Sequence, residues 1–350
     1  MITKTIFSLA ASIIKLIIFN LFFVNAYAET VNKKYEPEEK GILALMYHRF
    51  EENKYPSTNI KIDVFKKHLN IIKENNMSIL NPKNFELEFN RISKEKKILL
   101  TIDDAFSSFY LNAWPILKKD KIPFILFVST ESVGKNGYMS WDEIIEISKE
   151  DFVFIGNHSH SHEYLVKYEF EKFEKDIHKS IQIFEKNLGY NSKFFSYPYG
   201  EYSLKQKKYI TKNFEYAFGQ HSGVIDLNKD KYELPRFPIN EKYGDLERFK
   251  FLINLLPIQY KVINPEEKLL SEDNNPPNLI IEFFDDQPSI EKINCFSNEG
   301  GEWKNSKLNY IKNRIEVIFT EKFLPRRGRI NCSMQDNDKW RWFGAQFTLN

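Results

Sequence analysis

Two short stretches hold the residues best suited to chemistry. Thr101-Ile102-Asp103-Asp104 follows the apolar run 97–100 and sets two adjacent carboxylates where a buried strand should end. Such a pair is costly unless a cation or a proton neutralises one member. Further along, the apolar run 152–157 leads into His158-Ser159-His160-Ser161-His162, which holds three of the chain's 7 histidines. One carboxylate and two imidazoles would give three ligands and leave a position for water, the pattern of catalytic rather than structural zinc. The second aspartate, not coordinating, would take a proton from the attacking water. Taken singly, an aspartate pair is most often a turn or helix cap, and a serine-histidine run a polar loop. Their convergence on one rim is what favours chemistry. His158 and His162 are four apart, so a helical turn would bring them to one side, with His160 facing away. Successive strand residues point to opposite faces, so both aspartates can share a site only if the backbone turns at 105–108.

Parallel strands whose carboxyl ends form one rim would position these groups. The run 41–47 is continuously apolar, as a strand covered on both faces should be. Asp63 is read as the cap of a helix carrying Phe65, Leu69, Ile71 and Ile72. A strand at 77–80 and a helix at 84–92 precede the strand 97–104. Residues 109–119 read as helical, with Pro115 imposing a kink or a late start. Strands are then expected at 122–128, 152–157, 194–199, 216–219 and 234–239, and helices at 141–149, 163–188, 204–213 and 246–256. This alternation indicates a parallel α/β barrel or a doubly wound sheet. Asp103 and Asp104, His158 and His162, Tyr199 with Gly200, His221, and Arg236 follow five of the strands and would gather on one face. His48 ends the first strand but has a weaker claim, and His68 and His178 fall on expected helices and read as solvated. Beyond Pro257 the chain turns into short β-prone runs parted by Asn, Asp, Gly and Pro, a small all-β, sandwich-like domain over 257–350.

The chain has 350 residues, enough for a barrel plus an appendage. Residues 1–28 read as a secretory signal: Lys4, an apolar run, then Ala26-Tyr27-Ala28 before Glu29. Lys15 and Asn20 interrupt that run, which argues against a membrane span, and none is expected in the mature chain. Residues 29–40 form a polar leader. Removing the signal takes away two lysines and leaves the 48 acidic residues balanced by as many basic ones. A neutral chain argues against nucleic acid, whose binders need a basic face. In an exported protein, Cys295 and Cys332 are expected to form a disulfide rather than a metal site. Trp340-Arg341-Trp342-Phe343 reads either as sandwich core or as a sugar-stacking platform.

At these motifs the chain resembles the polysaccharide deacetylase family, carbohydrate esterase family 4. Thr101-Ile102-Asp103-Asp104 is similar to its first motif, Thr-Phe-Asp-Asp, and residues 158–162 to its second, His-Ser/Thr-x-x-His. The resemblance covers about residues 41–250 and implies a distorted (β/α) barrel of the deacetylase type over 41–256. It implies Asp104, His158 and His162 as ligands of Zn2+ or another divalent metal, and Asp103 as general base. Leu45-Met46-Tyr47-His48 also looks like members acting on exported poly-N-acetylglucosamine. Phe195-Ser196-Tyr197-Pro198-Tyr199-Gly200 is similar to the third motif, Arg-x-Pro-Tyr, with Ser196 where the arginine would stand. The Tyr199 main-chain N–H would help hold the oxyanion, and Arg236 is the candidate to replace the missing arginine as the group that orients Asp103. The family's Leu-x-His motif has no clean match, and His221 is the candidate for its acid. The implied activity is metal-dependent removal of N-acetyl groups from N-acetylglucosamine polysaccharide or oligosaccharide by an exported enzyme. An O-acetyl-glycan esterase of the xylan type and a non-catalytic carbohydrate-binding protein are the rival readings.

Overall fold

Apolar runs too continuous for a one-faced sheet become strands covered on both sides. In the computed structural model, which describes residues 33–324 and 326–349, β1 (Ile42–Tyr47) is buried at every position. The expected signal, residues 1–28, and the start of the leader lie outside the described residues. In chain order follow β2 (Arg49–Phe50), β3 (Asn59–Ile60), α1 (Ile62–Glu74), β4 (Ser78–Ile79), α2 (Phe85–Phe89), β5 (Lys97–Asp103), α3 (Trp114–Asp120), β6 (Phe124–Val128) and α4 (Trp141–Ser148). Then come β7 (Val153–Asn157), α5 (Phe170–Leu188), β8 (Phe194–Ser196), α6 (Leu204–Ile210), β9 (Tyr216–Phe218), β10 (Phe237–Pro238) and α7 (Leu246–Ile253).

The main sheet runs β10-β1-β5-β6-β7-β8-β9, with β4 also on β5, and every pairing is parallel. It curls until the segment 234–237 meets both ends: Leu234 bridges Phe218 of β9, and Phe237 pairs with Leu45 of β1. This is the expected distorted parallel barrel. Side chains alternate across it. Ile42, Ala44, Leu99, Ile125, Phe127 and Leu234 share the inner cluster, while Leu43, Leu45, Ile98, Leu100, Phe124 and Leu126 pack against the helices. By the same alternation Thr101 and Asp103 follow Leu99 on the inner face.

Some elements differ locally from the sequence reading. Lys61, not Asp63, occupies the cap of α1, and Asp63 sits in the first turn, where a carboxylate complements the helix dipole. Pro115 gives the late start: Phe109–Ala113 is a π-helical turn and α3 begins at Trp114. The expected strand at 234–239 forms a ladder only at Phe237–Pro238, with Leu234 an isolated bridge to Phe218, since Pro235 and Pro238 bring no N–H to a ladder. His68 is fully buried rather than solvated, its ring stacked on Phe249 of α7 at 3.9 Å.

The carboxyl-terminal region consists mostly of strands: β11 (Leu256–Pro257), β12 (Val262–Asn264), β13 (Leu269–Leu270), β14 (Leu279–Glu282), β15 (Asn294–Ser297), β16 (Lys304–Asn305), β17 (Lys307–Ile311), β18 (Arg314–Ile318), β19 (Arg327–Asp336) and β20 (Lys339–Leu349). One sheet runs β11-β20-β19-β15-β16 with β13 on β20, a second runs β12-β14-β18-β17, and a shared apolar core lies between them. Cys295 of β15 faces Cys332 of β19 in register, and the two are disulfide-bonded. Strand β20 has two working faces. Phe343, Ala345 and Phe347 enter the sandwich core. Trp342, Gly344 and Gln346 meet the barrel: Trp342 Nε1 donates to Ser222 Oγ at 2.9 Å and Gln346 Nε2 to the Tyr199 carbonyl at 3.1 Å. A Cβ at Gly344 would lie 2.4 Å from the Ser222 carbonyl oxygen, so only glycine permits this approach. Trp342 is thus committed to the barrel contact and Phe343 to the core, while Trp340 is 39% exposed near Phe251.

Candidate active site

Strand β5 ends at Asp103, and the chain turns at once. Asp104 and Ala105 adopt φ of 75° and 52°. Left-handed backbone is unfavourable for residues with a Cβ and persists where the surroundings enforce it. The turn lets both carboxylates face one cavity end instead of opposite sides of the sheet. The histidine segment is not a helical turn, as the four-residue spacing suggested. It is an irregular loop with left-handed Ser159 (φ 68°) and His162 (φ 55°). Asn157 Oδ1 accepts from Ser159 N, and Ser159 Oγ accepts from His162 N. The two carboxylate oxygens of Asp176, on α5, accept from His160 N at 2.9 Å and Ser161 N at 3.0 Å.

This framework brings one ligand atom each from Asp104, His158 and His162 within 4.8 Å of one another. His162 Nε2 lies 3.1 Å and His158 Nε2 3.6 Å from Asp104 Oδ1. His158 Nδ1 lies 2.6 Å from the Ser196 carbonyl oxygen, which can only accept, so Nδ1 carries the proton and Nε2 presents a lone pair. Burial lowers the His158 pKa to about 4 despite the nearby aspartates, so the ring is neutral at pH 7. For His162, burial disfavours charge but the Asp104 carboxylate more than offsets it and raises the pKa. Asp104 Oδ1 and His158 Nε2 are buried with no hydrogen-bond partner. Orphaned polar atoms of this kind demand a partner, and a carboxylate with two imidazoles is a donor set that suits a divalent ion such as zinc. The residues therefore fit a metal. His160 turns away, its Nδ1 2.8 Å from Thr130 Oγ1.

Asp103 is fully buried and paired with Arg236, also fully buried, through Nη1–Oδ1 at 2.7 Å and Nη2–Oδ2 at 2.9 Å. The same guanidinium donates to Ser196 Oγ at 2.7 Å, Thr101 Oγ1 at 3.2 Å and the Gly219 carbonyl at 3.0 Å. Burial pushes the Asp103 carboxyl up, but Arg236, aided by His158 and His48, holds it below its ordinary range. The hydroxyl at Ser196, where the resemblance places an arginine, thus meets an arginine arriving from the other side. Tyr199 has φ 60° and its ring lies 4.8 Å from that of His162.

His221 is not gathered with this cluster. The charges acting on it are Glu233, Lys268, Lys229 and Lys207, and burial lowers its pKa to about 4, which leaves it without a proton to give at neutral pH. The further histidine acting on both Asp103 and Asp104 is His48. It directly follows β1, whose last residue, Tyr47, pairs with Ile102, the residue before Asp103. Sequence reasoning gave His48 only a weaker claim and passed over Asp176. The signal for His48 was its place directly after a buried strand; Asp176 carried none.

Known proteins resemble this chain in sequence and in fold. Residues 90–219 match the family model described as polysaccharide deacetylase. A poly-beta-1,6-N-acetyl-D-glucosamine N-deacetylase of Staphylococcus epidermidis is 27% identical over 250 residues, covering 62% of this chain and 85% of that protein. The enzyme of the same description from Staphylococcus aureus strain N315 is 26% identical over 239 residues, covering 60% and 82%. In fold, the chain is similar to IcaB from Ammonifex degensii, with a TM-score of 0.56 at 24% identity over 61% of this chain and 97% of that one. The Streptococcus pyogenes deacetylase PplD, solved in complex with acetate, gives 0.54 at 22% over 58% and 94%. Through the barrel that holds the paired aspartates and the histidine loop, the chain is therefore similar to the polysaccharide deacetylase family, whose model matches residues 90–219.

Proposed function

We propose that this protein is an exported, metal-dependent hydrolase that removes N-acetyl groups from N-acetylglucosamine-containing polysaccharide, with catalysis in residues 41–256 and an accessory β domain in 257–350. The observation that carries the proposal is the Asp104–His158–His162 cluster, in which the buried Asp104 Oδ1 and His158 Nε2 make no hydrogen bond, standing beside an Asp103 held ionised by Arg236. The staphylococcal relatives support the amide of N-acetylglucosamine as the bond attacked.

Asp104, His158 and His162 would hold Zn2+ or another divalent ion, which when bound supplies a Lewis acid for the acetyl carbonyl and makes water more acidic. The chain's own groups do the rest. Asp103 receives a proton from the attacking water as its oxygen bonds to the carbonyl carbon. The bidentate pair with Arg236 leaves each Asp103 oxygen a free lone pair and keeps the carboxylate charged for this step. The Tyr199 main-chain N–H is assigned to the tetrahedral oxyanion. Asp103, having taken the water proton, delivers it to the amine nitrogen as the carbon–nitrogen bond breaks, releasing acetate and a free amino sugar. Arg236 positions Asp103 rather than touching substrate.

The test is acetate release from chitin oligomers, poly-N-acetylglucosamine, peptidoglycan and acetylxylan, with and without chelator. Release from the N-acetylglucosamine substrates, lost on chelation, is expected. Asp104→Ala, and His158→Ala combined with His162→Ala, should abolish both bound metal and activity. Full activity in a metal-free preparation refutes the reading.

A further inference from the structure

The turn that carries Tyr199 is built from two successive left-handed residues, Tyr199 at φ 60° and Gly200 at φ 68°. A Cβ at Gly200 would sit 2.5 Å from Gln220 N, which accounts for the glycine. Nothing comparable excuses Tyr199, whose backbone must be held from outside. The groups that hold it come from the carboxyl-terminal β region. Gln346 of β20 is 4% exposed and donates from Nε2 to the carbonyls of both Tyr199 and Gly200, each at 3.1 Å. Its amide cannot be turned round, because Arg329 Nε donates to Gln346 Oε1 at 3.0 Å. On the other side of the turn, the Arg326 guanidinium lies 4.4 Å from the centre of the Tyr199 ring and 3.5 Å from that of Tyr164, and Nη1 donates to the Tyr164 hydroxyl at 2.6 Å. Glu201, whose side chain is 2% exposed, anchors Arg326 at 2.9 Å and Arg327 at 2.6 Å.

We propose that Gln346 and Arg326 are positioning residues of the active site: the β region clamps the Tyr199–Gly200 turn and thereby aims the Tyr199 N–H. The inference rests on the deacetylase reading for its catalytic part and on geometry alone for the clamp. Gln346 fixes the two peptide planes that follow Tyr199, and Arg326 fixes the ring, which in turn packs on His162. The β region is then part of the catalytic machinery.

The test uses the full chain with Gln346→Glu and Arg326→Gln. Gln346→Glu keeps an acceptor for Arg329 but faces the two carbonyls with a carboxylate; Arg326→Gln alters a half-buried position that the fold should tolerate. Amide hydrogen exchange at Gly200 and Glu201, whose N–H groups bond within the turn to Tyr197 O and Pro198 O, should accelerate at least about tenfold in each variant, with the thermal midpoint nearly unchanged. On soluble N-acetylglucosamine oligomers kcat should fall about tenfold while KM stays within about twofold, as expected for an interaction that matters in the transition state. Unchanged exchange overturns the clamp. Faster exchange with unchanged kcat, or a rise in KM alone, overturns its catalytic role. If the unaltered protein releases no acetate, the deacetylase reading falls and the exchange experiment still decides the clamp.

Discussion

Arg236→Met is the most informative single change. The guanidinium is fully buried and makes five hydrogen bonds, to both oxygens of Asp103, to Ser196 Oγ, to Thr101 Oγ1 and to the Gly219 carbonyl. Methionine fills much of the volume but leaves the Asp103 carboxylate buried without its cation. Breaking one side of a buried pair costs about 3–5 kcal/mol, a large share of the ~5–15 kcal/mol by which a domain is stable. The carboxyl escapes part of that cost by taking a proton, since burial, which raises its pKa, is no longer opposed by the guanidinium. A protonated Asp103 cannot act as base, so kcat/KM should fall at least about a hundredfold. Urea unfolding at pH 7 measures the first effect and acetate release the second. Adding Asp103→Asn to Arg236→Met removes the stranded charge and should recover more than half of the lost stability while leaving activity absent. The acid limb gives a further check. The folded pKa of Asp103 is depressed, so the pair stabilises above the ordinary carboxylate range and this is lost as pH falls; the variant should lose that dependence. A cost below about 1 kcal/mol, or kcat/KM within about threefold of normal, would refute the reasoning.

Two further outcomes follow from buried groups outside the reacting centre. Asp176→Asn should weaken metal binding by about 10- to 100-fold, measured by competition with a chromogenic chelator, because it supports the loop between the two ligand histidines without touching the metal site; unchanged affinity would show that the loop holds itself. His68 has its pKa lowered to about 4 by burial, so the unfolded chain binds the proton first. Stability should be full above about pH 6.5 and decline by ~3 kcal/mol as pH falls toward 4. Comparing the pH slope of urea unfolding with that of His68→Asn isolates this contribution, and equal slopes would exclude it.

Much of the site is written in residue types. Adjacent aspartates after an apolar strand and paired histidines after another are chemically specific, and the continuous apolar runs give the parallel strands. What stays hidden depends on partners remote in the chain. Strand periodicity puts Asp103 on the same face as Leu99, but two successive left-handed residues at Asp104 and Ala105 are not signalled by residue type, since aspartate tolerates that backbone and alanine disfavours it. His48 gains its place from the pairing of β1 with β5, and His68 is buried because α1 packs on α7. His221 follows a strand, as the candidates on the rim do, yet the charges acting on it are Glu233, Lys229 and Lys207 of the barrel and Lys268 of the β region, not those of the paired aspartates. The distinction is spatial, and one-dimensional spacing does not carry it. The left-handed His162 loop was missed for a related reason: the acceptor that shapes it, Asp176, reads in sequence as one more charge on a polar helix.

Strand β20 brings synthesis into the picture. Residues 41–256 leave the ribosome before any of β20 does, and chains fold largely from the amino end as they emerge. The barrel can therefore curl and close before Gln346 arrives at the Tyr199 turn. A chain cut short ahead of β20 would carry the aspartates and histidines of the site yet leave the barrel surface around Ser222 uncovered. Under the proposed clamp, activity would be acquired late, after the last sheet has docked.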